Sequence, residues 1–432
     1  MQHNERQTMA RIGWRIMPLL LPAVCFAYLD RINLSFAALS MDRDLGLTHR
    51  QFGVAAGVFS IGIALAAIPS TLMLHRFGAR RWISLTMFAW GLCSAATAFV
   101  SHSTQLFALR ALLGMAEAGL APGTVLYASY WFPVQYRSRI FGSVYVAQLG
   151  TQLIGSPISG GLLAMNGRLG LSGWQWLFLI EALPTLALAV IVWMLLPDKP
   201  EDARWLGADE KHWVEERLAA EQPPAPALPG LRAIWRVLGD RRVWLLTAVC
   251  LGLGTAGIGA IFFLPQIIQS MGFSDVHTGW VAAMPAAVSI AALPLWSMYT
   301  SSTRTREWVV VAGCGVVTFG LLTTAALLPS PWAIVPISIV LAGFFGCLTA
   351  FWTLPSAFMS GAAAAAGIAF INLCGNFGQF TGPYLLGWFA DRSHSYTGGL
   401  VCLAVVAAAA AALMSTQAQA VHRRIKRLAR SA

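Results

Sequence analysis

Five ionisable side chains lie where the chain is otherwise apolar. Asp30 and Arg31 sit in YLDRINLS (28–35), Arg110 and Glu117 in RALLGMAE (110–117), and Glu181 in WQWLFLIEALP (174–184). At mid-bilayer each costs at least ~2.5–3.5 kcal/mol on insertion scales, so each must face a cavity or a partner. Arg31 and Arg110 present rigid forked donors that match a carboxylate. Asp30 and Glu117 are acids, and a carboxyl in a dry cavity holds its proton more tightly than one in water. A group that is neutral when loaded and ionised when released is what proton coupling requires. The set therefore reads as two anion-binding bases and two proton-carrying acids. Arg110 and Glu117 are seven residues apart, which puts them on one helix face about 10 Å apart. The residues between and after them are mostly small and leave room beside them. Asp30 and Arg31 are successive, so on a helix they point about 100° apart. One can look into a cavity while the other reaches a neighbouring helix. Glu181 stands alone near a Trp-rich span end, where it could simply satisfy nearby backbone.

These residues need helices to position them. The 432-residue chain is 57% hydrophobic and 11% charged, about half the charge of a soluble domain. Apolar runs long enough to cross a ~30 Å hydrocarbon core recur along its length. We read twelve: 14–36, 52–74, 82–101, 104–127, 139–164, 174–196, 243–268, 276–298, 307–328, 332–358, 363–389 and 396–417. Barrel strands would be ~10-residue alternating segments, and none occurs. The expected class is an all-α membrane protein, since helices satisfy their own backbone polar groups in lipid.

The net charge of +11 does not point to nucleic acid, because its placement follows the membrane. Of 29 Lys and Arg, 23 fall on the side of the N-terminus, four on the other, and two within spans. That asymmetry predicts both termini in the cytoplasm of a multi-pass protein of the bacterial inner membrane. The basic tail HRRIKRLAR (422–430) reads as a topology anchor. The first span resembles a signal peptide, but no small-residue cleavage site follows it, so it is expected to be retained. All seven cysteines fall inside spans, which implies buried thiols and no disulfide framework. No cysteine or histidine cluster suggests a metal, and no nucleophile or cofactor constellation suggests an enzyme.

Residues 197–242 differ from their surroundings. They should hold a short amphipathic helix within EDARWLGADEKHWVEERL (201–218), then an extended linker at PPAPALP (223–229). This loop separates an N-terminal six-helix bundle (1–196) from a C-terminal one with a basic tail (243–432). The halves resemble each other at an offset of about 226 residues. IPSTLMLHRFGARRW (68–82) parallels LPLWSMYTSSTRTREW (293–308). QLGTQLIGSPISGG (148–161) parallels NLCGNFGQFTGPYLLG (372–387). Parallel repeats of this kind are a transporter architecture with the site between the halves. Gly155, Pro157, Gly382 and Pro383 read as close-packing and bending positions.

The turn HRFGARR (75–81) resembles the signature loop of the major facilitator superfamily, with His75 where an acid is usual. YLDRINLSFAAL (28–39), LRALLGMAEAGLAPGTVLYASYWFP (109–133) and FWTLPSAFMSGAAAAAGIAFINLCGNFGQFTGP (351–383) are similar to that superfamily's anion:cation symporter family. That family includes permeases for sugar acids, tartrate, phthalate and hydroxyphenylacetate. The resemblance implies a fold of two pseudo-symmetric six-helix bundles. It assigns anion binding to Arg31 and Arg110 and proton coupling to Asp30 and Glu117. It also places Gln148 and Asn372 near substrate. Tyr28 and Trp352 could line the pocket, and Asn376 is a weaker candidate. Ile63 and Ala67 stand where a Tyr and an acid are common, which favours an apolar or aromatic acid over a highly polar one.

The expected function is proton-coupled uptake of a small carboxylate by alternating access, with no cofactor and with a monomer sufficient. The rivals are proton-coupled drug efflux, which two cavity arginines disfavour for a cation, and phosphate-ester exchange, which would favour a base in span seven. A non-transporting sensor would be expected to carry a folded soluble domain, and 197–242 is too short and too Pro-rich for one.

Overall fold

A computed structural model describes residues 5–221, 238–300, 306–355, 358–359 and 361–431. Among these residues there is no strand. The first half runs α1 (Glu5–Asp44), α2 (His49–Phe77), α3 (Ala79–Thr97), α4 (Ser103–Glu117), α5 (Leu120–Trp131), α6 (Val134–Leu163) and α7 (Gly173–Leu195). A connecting helix, α8 (Ala208–Glu221), follows. The second half runs α9 (Arg241–Ser270), α10 (Asp275–Thr300), α11 (Arg306–Leu327), α12 (Ile334–Phe351), α13 (Gly361–Ser393) and α14 (Thr397–Ser431).

Among the described residues, nine segments are long and apolar enough to cross a membrane. One of them, Ser103–Trp131, is a single crossing made of α4 and α5. Helices α3, α6 and α13, of 19, 30 and 33 residues, complete the twelve. Many of their outward side chains, such as Leu183, Trp193, Phe319 and Val405, are large, apolar and exposed. Lipid supplies their solvent.

The ends of the helices are set by ordinary capping chemistry. Thr48 and Gln51 form a reciprocal capping box at the start of α2, and at the start of α7 Gln175 Oε1 accepts from the Ser172 backbone nitrogen at 2.8 Å. The signature turn after α2 is tied to the end of α7. The Asp198 carboxylate accepts from the Arg80 backbone nitrogen at 2.8 Å, and Gly78 (φ +83°) leaves space for it where a Cβ would lie 2.9 Å from an oxygen. His75 is exposed. The predicted amphipathic helix in the connecting loop is α8. It buries Val214 and Leu218, and its Glu210 accepts from Thr8 and Arg11 of α1 at 3.0 and 2.9 Å. The PPAPALP linker, residues 301–305 of the second-half basic turn, and the side chains of the basic tail lie outside the described residues.

The two sides of the bundle differ. The basic side carries Arg76, Arg80 and Arg81; on the far side the halves are in close contact. A Cβ on Gly53 of α2 would lie 2.4 Å from the Pro383 carbonyl oxygen of α13, and one on Gly387 would lie 2.2 Å from the His49 carbonyl. A Cβ on Gly279 of α10 would lie 2.6 Å from the Ser156 carbonyl of α6. Phe52 and Phe263 meet edge to face at 5.0 Å. The Asp391 carboxylate accepts from the backbone nitrogens of His49 and Arg50 at 2.8 and 2.9 Å, so the last turn of α13 caps the start of α2. On the basic side α6 and α10 part. A cleft of about 670 Å³ lies among Gly142, Val146, Ile290, Leu293 and Ser297. The halves are closed on the far side and open on the basic one.

Candidate functional site

Helix geometry explains why an acid and a base can be neighbours at positions 30 and 31. Tyr28 and Arg31, three residues apart, share one face of α1 and line a cavity of about 340 Å³. Asp30 and Asn33, also three apart, are 1% and 0% exposed and turn towards α3. There Asp30 Oδ1 accepts from Ser94 Oγ at 2.6 Å and from Asn33 Nδ2 at 3.3 Å.

The span that carries Arg110 and Glu117 is broken just after Glu117. Pro122 has no N–H to give to the Ala118 carbonyl four residues earlier, and Gly119 follows Ala118. The helix restarts as α5 at Leu120. The span read over 104–127 is one crossing, as expected, but it is built of two helices that meet just after Glu117. The break leaves Glu117 at a helix end beside the cavity.

Arg31 and Glu117 form an ion pair on the cavity wall. Arg31 Nε donates to Glu117 Oε1 at 3.0 Å, and Nη2 donates to the same oxygen. Glu117 Oε2 has no partner among the described residues. The Arg31 side chain is 30% exposed and that of Glu117 is 2% exposed. Of the pair, Arg31 is the one a ligand can reach.

Arg110 lies behind this wall. It is 1% exposed, and its Nη1 donates to the Asp30 backbone carbonyl at 3.1 Å. Its Nε and Nη2 have no partner among the described residues. The ring of Phe59 lies 5.1 Å from the guanidinium carbon of Arg110 and 5.1 Å from that of Arg31. An aromatic face near both cations offsets part of the cost of burying them close together. Gly114 makes this possible, because a Cβ there would sit 2.0 Å from the Phe59 carbonyl oxygen.

The remaining cavity wall is mixed. Thr124 and Gln148 are polar, whereas Val24, Ala27, Ile63, Leu120, Ala121, Val125 and Val144 are aliphatic. Tyr28 donates to Gln152 Oε1 at 3.3 Å, one turn from Gln148. Such a wall suits a small anion with a partly apolar body. Ile63, expected to matter because it replaces a hydroxyl-bearing residue, lies on this wall.

Of the predicted site residues, the structure brings Tyr28, Arg31, Glu117 and Gln148 to one cavity, with Asp30 and Arg110 directly behind it. It does not bring Trp352 and Asn372 there. Trp352 follows α12 and packs edge to face on Phe351 at 5.3 Å, and Asn372 is exposed on α13. Asn376 is buried and accepts from Gln379 at 3.0 Å. Sequence reasoning missed Phe59, Ser94, Asn33 and Gln152. Ser94 and Gln152 carried one available signal: a polar residue inside an apolar span needs a partner. Among the described residues no group of three or more His, Cys, Asp or Glu could hold a metal.

Comparison with known proteins places this geometry. A sequence description of the Major Facilitator Superfamily matches residues 20–383. The chain is 41% identical over 404 residues to a putative tartrate transporter of Agrobacterium vitis, covering 93% of this chain and 89% of that one. It is 32% identical to a quinolone resistance transporter of Acinetobacter baumannii, with 93% of each covered. Among solved structures, a bacterial homologue of the lysosomal transporter Spinster in an inward-facing, occupied conformation superposes with a TM-score of 0.76. It covers 94% of this chain and 96% of that one at 16% identity, a likeness of fold. The chain belongs to the Major Facilitator Superfamily, whose members are membrane transporters of two six-helix bundles.

Proposed function

We propose that the protein is a proton-coupled importer of a small organic carboxylate, with Arg31 as the anion-binding group and Glu117 as the proton carrier. The observation that carries this reading is the Arg31–Glu117 pair on the cavity wall. One guanidinium cannot serve two carboxylates fully at once. A substrate carboxylate that takes Arg31 displaces Glu117, and a displaced carboxylate in a dry site takes a proton. When Glu117 gives up that proton it recaptures Arg31 and expels the substrate. Substrate and proton are thus loaded together and released together. Arg110 supports the site through its charge and through its hold on the α1 backbone at Asp30.

The charge asymmetry supports a cytoplasmic placement of both termini and of the basic side. With that orientation the open side is the cytoplasmic one, and the Arg31–Glu117 pair is the arrangement that follows release. The resemblance to anion:cation symporters and the similarity to a putative tartrate transporter support a carboxylate as substrate. A single chain supplies every residue of the site, so a monomer suffices.

Purified protein in proteoliposomes tests the reading. Tartrate, sugar acids and aromatic acids that raise its thermal stability are offered outside at acid pH, with a neutral lumen. Accumulation above the external concentration is expected, and it should collapse when a protonophore equalises the pH. Uptake indifferent to the gradient would overturn the coupling, and accumulation driven by the reverse gradient would make the protein an exporter.

A further inference from the structure

The buried charge of the first half does not balance. Arg31 and Arg110 are two cations; Asp30, Glu117 and Glu181 are three carboxyls. Glu117 is paired with Arg31, and Arg110 lies against the Asp30 residue. Among the described residues Glu181 has no cation in contact. It is 4% exposed, its Oε1 accepts from Ser159 Oγ at 2.7 Å, and its Oε2 has no partner among the described residues. An ionised carboxylate so placed would carry a cost of several kcal/mol. Asp30 has the same arrangement, with Oδ1 satisfied and Oδ2 unpartnered. The Asn33 side chain lies between the two acids, bonding Asp30 and facing Glu181.

Helices α1, α3 and α6 pack against α7. Helix α1 brings Asp30; its Arg31 is paired with Glu117 at the cavity, and Asp42, Arg43 and Asp44 lie at its far-side end, Asp44 on Trp174. Helix α3 brings Cys93, itself beside Asp30; its Arg80 and Arg81 stand at its basic-side end, about 18 Å along the helix from Cys93. Between Ile154 and Leu163, α6 brings Ser159 and nothing ionisable. Glu181 stands eight residues into α7, about 12 Å from that helix's far-side end. Ser159 lies about 6 Å from the end of α6.

We infer that Glu181 is a third proton-carrying group, the outer partner of Asp30, so that the two acids hold one proton between them beside Asn33. The inference rests on the proton-coupled reading above. A proton leaves Glu181 Oε2 and is taken up at Asp30 Oδ2. Glu181 is then an anion; it takes a new proton from water on the far side as Asp30 releases its proton towards the cavity, so the pair again holds one. Like charges on both acids at once are disfavoured, so protonation of one goes with ionisation of the other.

Glu181→Gln tests this. Infrared spectra of the purified protein at neutral pH should show the carbonyl stretch of a protonated carboxyl in the wild type, and that band should be missing in the variant. In proteoliposomes the variant should lose gradient-driven accumulation while substrate-for-substrate exchange at equal pH remains. Exchange moves no net proton. Glu181→Asp should recover part of the accumulation. An unchanged band, or accumulation equal to wild type, overturns the inference. So does a parallel loss of exchange, accumulation and thermal stability, which would make Glu181 a packing group. If wild-type uptake ignores the gradient, the proton-coupled reading itself fails, and the infrared arm alone still decides whether Glu181 carries a proton.

Discussion

The two halves of this transporter share a fold and divide the chemistry unequally. The first buries Asp30, Arg110, Glu117 and Glu181 and puts Arg31 on a cavity wall. In the second, Asp, Glu, Lys and Arg occur only at or beyond span ends, as with Asp275, Glu307, Asp391 and Arg392. Its contacts with the first half on the far side are steric and dipolar: Gly279, Pro383 and Gly387 let it approach closely, and Asp391 caps α2. Alternating access needs one surface that senses substrate and one that moves against it. With the charge concentrated in one half, neither the Arg31–Glu117 ion pair nor the Arg110 hold on the Asp30 carbonyl spans the interface between the halves.

Five substitutions would break or sharpen this division. Arg110→Ala should have the largest effect. It leaves Asp30 buried without its neighbouring cation, which should cost about 3–5 kcal/mol. A large fall in melting temperature together with loss of substrate binding is expected; near-normal stability would mean Arg110 is not integral to the first half. Arg31→Ala should weaken binding by about 2–5 kcal/mol, roughly 30- to several-thousand-fold, with the fold retained. Arg31→Lys keeps the charge but loses the fork, so it should recover little of that affinity in calorimetry. A full recovery would make the cation, and not its geometry, sufficient.

The second half should respond in conformation, not in affinity. Gly279→Leu places a side chain against the Ser156 carbonyl and Gly160, and overpacking there should cost the closed far side about 1–3 kcal/mol. Spin-label distances across the far side should lengthen. Asp391→Asn removes a charge from the start of α2 and should shift the same distances less, by about 0.3–1 kcal/mol in population. A loss of substrate affinity without a shift in distances, in either variant, would show that the second half binds and does not merely gate.

Much of this was legible in the sequence, because membrane physics makes intramembrane charge conspicuous. Asp30, Arg31, Arg110, Glu117 and Glu181 stand out against lipid on cost alone, and helical spacing correctly separated the directions of Asp30 and Arg31. Apolar runs led to twelve crossings, nine of which, among the described residues, are apolar enough in the structure to stand on hydropathy, with α3, α6 and α13 completing the set. What was not legible depends on which helices touch. Phe59 is an ordinary apolar residue until two guanidiniums are found 5.1 Å from its ring. Ser94 and Asn33 are unremarkable until Asp30 is seen between them. The sequence reading put Arg110 first at a substrate carboxylate with Arg31 in support, whereas packing places Arg31 on the cavity wall and Arg110 behind it. Repeat symmetry suggested that Asn372 mirrors Gln148, yet the halves have different relations to the cavity, and only Gln148 lines it. The break after Glu117 was signalled by Pro122 and Gly119, but hydropathy averaged across it.

The most direct test is proton counting by calorimetry. Binding of a transported carboxylate, measured near neutral pH in buffers of different ionisation enthalpy, should be accompanied by proton uptake in the wild type as Glu117 loses Arg31. In Glu117→Gln the site should still bind, and the uptake should fall by one proton. Equal proton uptake in wild type and variant would contradict the sharing of Arg31 between substrate and Glu117.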